Sequence, residues 1–207
     1  MMYLVRHLLI KRIITVESDL VLEPKKRVLI EVNGETYYAH VLGDSKDTPS
    51  GKVVREITEA DEIHYDLHIR RCLNFKEQAQ KIANLNKIEL KILAAEPLFD
   101  VSRIIFYFKT EKLFRIRYLA KLISDIVKTQ VDLQQLEGRE ITRAIGDIGA
   151  CGIQACCTRF LYTTPLLTQE DAREMWTDEP RSLGMCGRIK CCTLFEKKCE
   201  KGCSCKK

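Results

Sequence analysis

The sequence predicts an α+β protein: a small N-terminal β-barrel or roll, a long linking amphipathic helix, an α+β sandwich unit, and a glycine- and cysteine-rich metal-binding C-terminal region. Three observations predict it. Short β-rich runs flank Asn33-Gly34 early in the chain, a long stretch after residue 58 carries near-helical apolar spacing, and a ten-residue phrase is written twice near the C-terminus. The expected segments are a β domain over 1–58, the linking helix over 59–88 and the α+β unit over 89–137. A duplicated cysteine-array region over 138–195 and a basic cysteine-containing tail over 196–207 complete the chain.

The 207 residues have room for one large domain or two modest ones with real cores. Apolar content of 45% and charged content of 30% are ordinary for a globular chain. No run approaches the roughly 18 apolar residues of a membrane span. Met1 to Val16 is apolar but cut by Arg6, Lys11 and Arg12, which is unlike a secretory leader. A cytoplasmic protein is therefore expected, and that decides how the ten cysteines are read. A reducing compartment disfavours a disulfide framework and points to metal or redox chemistry. The net charge of +5 is a weak pointer to RNA or an acidic partner.

In the β domain, Arg27 to Val32 and Glu35 to Leu42 flank Asn33-Gly34, two residues that tolerate the positive φ of a tight hairpin turn. A polar loop from Gly43 to Gly51 leads to a strand from Lys52 to Ile57. Thr58 then caps a helix, with Asp61 three residues on as its reciprocal partner. Ile63, Leu67, Phe75, Ala79 and Ile82 recur at near-helical intervals and mark its expected apolar face. His64 and His68 lie at i,i+4 on a solvated face without the glutamate of a zinc-protease pattern, and Cys72 reads as a packing thiol.

Leu90 to Glu96, Arg103 to Phe108 and Val131 to Leu136 read as strands. Ile116, Leu119, Leu122, Ile123, Ile126 and Val127 line a helix between the last two, where a parallel pair implies a right-handed crossover. This unit has no phosphate-binding glycine loop, nucleophile elbow or recognisable carboxylate pair. Further on, Thr168 to Asp171 starts a short helix reaching about Trp176, and Pro180 ends it. The tail carries Cys199, Cys203 and Cys205 among lysines and reads as a disordered basic segment.

The duplicated phrase is C-G-x-x-x-C-C-T-x-F, running from Cys151 to Phe160 and again from Cys186 to Phe195. It places Cys151, Cys156, Cys157, Cys186, Cys191 and Cys192 in matched positions, each copy preceded by Gly149 or Gly184. Residues five apart on a helix differ by about 140°, so one continuous helix cannot turn Cys151 and Cys156 to one metal. A turn must intervene, and Gly152 and Gly187 supply its freedom. Adjacent cysteines project in different directions, so one of each pair joins a site with the upstream cysteine and the other faces elsewhere.

The expected site is four thiolates from Cys151, Cys156, Cys186 and Cys191, with Cys157 and Cys192 as further ligands or structural thiols. The order within each pair is reversible. Soft thiolates suit both iron–sulfur clusters and zinc, and the residues leave the two open. A thiol–disulfide enzyme would want C-x-x-C, which the arrays lack, and the four histidines all lie within the first 68 residues. No enzymatic activity is therefore expected. A zinc-stabilised nucleic-acid-binding protein is the alternative, with Arg159, Arg188, Lys190 and the lysine tail on phosphates. Phe160 and Phe195 are expected in the core rather than on bases.

These residues resemble the PSP-type C-terminal conserved-region family, in its bacterial RicT/YaaT branch. The likeness covers nearly the whole chain and is most specific in the arrays, where Gly184 to Cys192 (GMCGRIKCC) matches the family phrase in full. The first copy departs from it, with Ile153 where the family usually has arginine. The cysteine-bearing tail is not a general family feature.

The resemblance implies one or two [4Fe–4S] clusters on the array cysteines. It also implies a complex with small helical partners of the RicA and RicF kind. Such a complex is associated with RNA processing by a membrane-anchored endoribonuclease and with developmental phosphorelay signalling.

Overall fold

The computed structural model describes residues 1–161, 167–175 and 182–194. The chain divides into two compact units, Met1–Leu136 and Glu137–Lys207. It is of mixed α+β type, with two sheets and few helices among the described residues.

The first unit opens with five strands: β1 (Met2–His7), β2 (Ile13–Glu17), β3 (Arg27–Val32), β4 (Glu35–Asp44) and β5 (Gly51–Glu56). They close into a barrel in the order β1-β2-β5-β3-β4, with β4 returning antiparallel to β1. Asn33 and Gly34 take φ of 54° and 82°, the positive values the turn between β3 and β4 demands. Strand alternation turns Tyr3, Val5, Val28, Ile30, Ala39 and Val41 into the barrel core. Only β2 and β5 run parallel, over the two pairs Val16↔Gly51 and Glu17↔Lys52. At this seam a Cβ on Gly51 would lie 2.5 Å from the Glu31 carbonyl oxygen, so the close approach of β3 requires glycine.

The helix α1 (Glu59–Leu85) begins with the expected capping box: Thr58 Oγ1 accepts from the Asp61 amide, and the Asp61 carboxylate accepts from the Thr58 amide at 2.8 Å. Arg55 of β5 grips the same carboxylate through both terminal nitrogens and holds it well below the usual carboxylate range. The helix start is thus tied to the barrel. Thr58→Ala is expected to lower unfolding free energy by about 1 kcal/mol, read as a lower urea midpoint at unchanged slope.

The buried stripe of α1 differs from the expected one. Ile63 and Leu67 are 71% and 58% exposed. The covered positions are Tyr65, His68, Cys72, Phe75, Ala79 and Ile82, spaced alternately three and four apart. Ile63 and Leu67 belong to a second stripe on the far side, which spacing alone merges with the true one. His64 and His68 are likewise not on a solvated face. Their rings lie 4.3 Å apart, and Tyr38 Oη stands 3.2 Å from His64 Nδ1. Cys72 is buried, as expected of a packing thiol, and burial pushes its pKa up to about 12.

The sheet β6-β7-β8 consists of β6 (Lys91–Pro97), β7 (Arg103–Lys109) and β8 (Gln130–Gln135). β6 and β7 are antiparallel, whereas β7 and β8 are parallel and joined through α2 (Ile116–Val127). Phe106, Phe108, Leu119, Ile123 and Val131 fill a core with Ala79 and Ile82 of α1. Arg103 Nη1 reaches Glu35 of the barrel at 2.8 Å and Asp132 of the sheet at 2.6 Å. A titratable pair also lies sealed between barrel and sheet: His7 Nε2 stands 3.3 Å from Glu96 Oε2, with both side chains almost fully buried. No helix among the described residues is long and apolar enough to cross a membrane.

Among the described residues the named helices of the second unit are short: α3 (Arg139–Ile145), α4 (Cys156–Arg159) and α5 (Gln169–Met175). α3 lies in the 138–195 array region, where the sequence predicts no helix before Thr168. α5 starts at the expected place, with Thr168 and Asp171 capping each other. Trp176, Pro180, Phe195 and the tail with Cys199, Cys203 and Cys205 lie outside the described residues.

Candidate functional site

The two cysteine phrases fold into the same small hairpin. In the first, the Gly149 amide donates to the Ile153 carbonyl at 2.8 Å, the Gly152 amide to Gly149 at 2.9 Å and the Ala155 amide to Asp147 at 3.0 Å. Thirty-five residues on, Gly184 donates to Arg188 at 2.8 Å, Gly187 to Gly184 at 2.9 Å and Lys190 to Ser182 at 2.8 Å. Ile148↔Gln154 and Leu183↔Ile189 are the matching antiparallel bridges. The turns require the two glycines, whose φ of +78° at Gly152 and +71° at Gly187 a side chain rarely adopts. Each hairpin lifts its first cysteine, Cys151 or Cys186, at the tip. The paired cysteines follow at the end, where Cys156 and Cys157 open α4.

All six cysteines, Cys151, Cys156, Cys157, Cys186, Cys191 and Cys192, line one cavity of about 400 Å³ in the second unit. Ile153, Met185 and Ile189 contribute apolar wall, and no histidine borders it. The thiols are free rather than disulfide-bonded. Cys157 is buried, Cys151 is exposed and the other four are half-buried.

The thiols also act on one another. Burial raises the Cys191 pKa; the Arg139 guanidinium opposes this, and Cys157, Cys186 and Cys156 add to it. Burial likewise raises Cys156, reinforced by Cys151 and Cys157. Thiols of both copies therefore share one electrostatic neighbourhood, and Cys157, expected to be surplus, stands inside it. Among the described residues, no three His, Cys, Asp or Glu side chains are gathered into a ligating group. What the cavity offers is a donor set of one soft chemistry, and thiolates of this kind suit iron–sulfur clusters and zinc.

Phe160 departs from the sequence reading. It is 49% exposed rather than in the core, because α4 ends at Arg159 and the buried position passes to Leu161. The Arg159 guanidinium lies over its ring, 5.9 Å from the centroid. The variable third position of the phrase also separates the copies: Ile153 faces the thiol cavity, whereas Arg188 lines another cavity with Arg139. Sequence reasoning did not find Arg139, whose only signal is a helix that leaves little periodicity in seven residues.

Residues 51–136 match the PSP1 C-terminal conserved region. The match ends before the cysteine arrays begin. Among individual proteins, the chain is 29% identical over 130 residues to Stage 0 sporulation protein YaaT of Bacillus subtilis (strain 168), covering 62% of this chain and 47% of that protein. The chain thus spans about half the length of this curated relative. No solved structure matches it.

Proposed function

We propose that the chain is a non-enzymatic regulatory subunit that holds iron–sulfur clusters, one or two of the [4Fe–4S] type, on its array cysteines. The observation that carries this reading is the convergence of six thiols from two identical hairpins on one cavity. Cys151, Cys156, Cys186 and Cys191 would hold a four-thiolate cluster. Cys157 and Cys192 stand ready as alternative or additional ligands. When bound, such a cluster supplies an oxygen- and redox-sensitive joint between the two hairpins.

The relative is named as a sporulation protein, which supports a regulatory role in development. Within this reading the chain works in the cytoplasm, in a complex with small helical partners of the RicA and RicF kind. There it modulates RNA processing by a membrane-anchored endoribonuclease, developmental phosphorelay signalling, or both. A second reading, a zinc-stabilised nucleic-acid-binding protein, draws on the exposed Phe160 ring beside Arg159.

Anaerobic purification followed by iron, acid-labile sulfide and zinc quantification separates the two. Iron and sulfide in near-equal amounts are expected. Stoichiometric zinc without sulfide would overturn the cluster reading.

A further inference from the structure

The second unit holds another cavity, of about 390 Å³, lined by three arginines. Arg139 opens α3, Arg173 lies on α5 and Arg188 lies in the second hairpin. Among the described residues no carboxylate pairs with any of the three. Arg139 Nε is moreover buried without a hydrogen-bond partner, a donor that costs free energy until an acceptor meets it. Gly138 makes room for Arg188: a Cβ there would lie 3.0 Å from Nε and 3.4 Å from the carbon of the guanidinium. Three like charges facing one space repel each other unless an anion joins them.

The planar fork of arginine matches phosphate oxygens in pairs. The volume falls within the range of small-molecule sites. Leu183 and Ile189 add apolar wall, and among the described residues no aromatic side chain lines the cavity. Single-stranded nucleic acid binds largely by stacking bases on aromatic rings, so this cavity is ill-suited to it. A phosphomonoester brings nearly two negative charges at neutral pH, compared with one for a backbone phosphodiester. We propose that this cavity binds a small phosphomonoester, with its phosphate held by Arg139, Arg173 and Arg188 and its organic part against Leu183 and Ile189. The duplicated fold supplies the arginine once only, since the equivalent of Arg188 in the first copy is Ile153. The site does not rest on which metal, if any, the thiols hold.

The test is titration calorimetry on the full, anaerobically purified chain. Its probes are inorganic phosphate, adenosine 5′-monophosphate, adenosine, and an RNA oligonucleotide with a 5′-hydroxyl. Phosphate and the monophosphate are expected to compete for one site with a Kd of roughly 1 mM or tighter, while adenosine fails to bind. Arg173→Gln and Arg188→Gln should each weaken binding about tenfold, and Arg188→Lys, which keeps charge but loses the fork, by less. Circular dichroism matching the unaltered protein confirms that these variants fold. Failure of phosphate to bind, or binding that survives both glutamine substitutions, overturns the proposal. An RNA oligonucleotide that binds more tightly than the monophosphate also overturns it, in favour of a nucleic-acid surface.

Discussion

Cys191→Ser is expected to strip the protein of bound metal and to leave the chain beyond Gly138 open to protease, while Met1–Leu136 stays resistant. Among its described residues the second unit has little else to order it. Its named helices among the described residues span seven, four and seven residues, far below the roughly 12 to 15 at which isolated helices become even marginal in water. Its hairpins are single bridges closed over a glycine turn. Binding at structural thiolate sites supplies on the order of 10 kcal/mol of folding free energy, enough to hold such segments. Limited trypsin digestion followed by intact-mass measurement, on loaded, chelated and Cys191→Ser protein, reads the outcome. Chelated protein that resisted cleavage beyond Gly138 as well as loaded protein would remove the structural role of the metal.

The other large effect is expected at the sealed pair between barrel and sheet. Glu96→Ala should cost roughly 1–3 kcal/mol, because it leaves the buried His7 imidazole and the Tyr107 hydroxyl, which donates to Glu96 Oε2 at 3.3 Å, without their partner. Replacing both residues by leucine should recover much of that loss, since well-packed apolar residues often match a buried pair. The pair also sets a pH signature. Burial raises the Glu96 carboxyl from an ordinary 4.5 to about 8 and lowers the His7 imidazole from 6.5 to about 3. Between about pH 3 and 8 the folded pair therefore holds one proton.

The unfolded chain also holds one proton on these two residues between 4.5 and 6.5, so stability from the pair is flat there. Between 6.5 and about 8 the unfolded chain has released a proton that the folded pair retains, so stability falls as pH rises, by up to about 1.4 kcal/mol per pH unit. Below 4.5 the unfolded chain takes up a second proton, and stability falls as pH drops. Urea unfolding across this range, with His7→Leu/Glu96→Leu as reference, isolates the contribution. A difference curve without the fall above pH 6.5 would refute the one-proton pair.

What was legible in the sequence was chemistry that acts locally. Asn33-Gly34, the Thr58–Asp61 cap, and the glycine turns at Gly152 and Gly187 each depend on residues within a few positions. α1 was legible as a helix but not in its facing, since Ile63 and Leu67 form a plausible stripe until the barrel and sheet select another. Phe160 was misplaced because the repeat fixes its position in the phrase but not where its short helix ends. His7 and Glu96 are 89 positions apart, and the three arginines come from α3, α5 and a hairpin. No spacing rule links such groups; only the packed chain brings them together.

The seam between β2 and β5 sets where the barrel breathes. Two parallel residue pairs close that side, against five or six pairs at the antiparallel contacts β1–β2, β1–β4 and β3–β4. Local opening begins where the fewest backbone hydrogen bonds must break. Amide hydrogens at Glu17 and Lys52 should therefore exchange with solvent ahead of those in β3 and β4, through a fluctuation that leaves the rest of the unit folded.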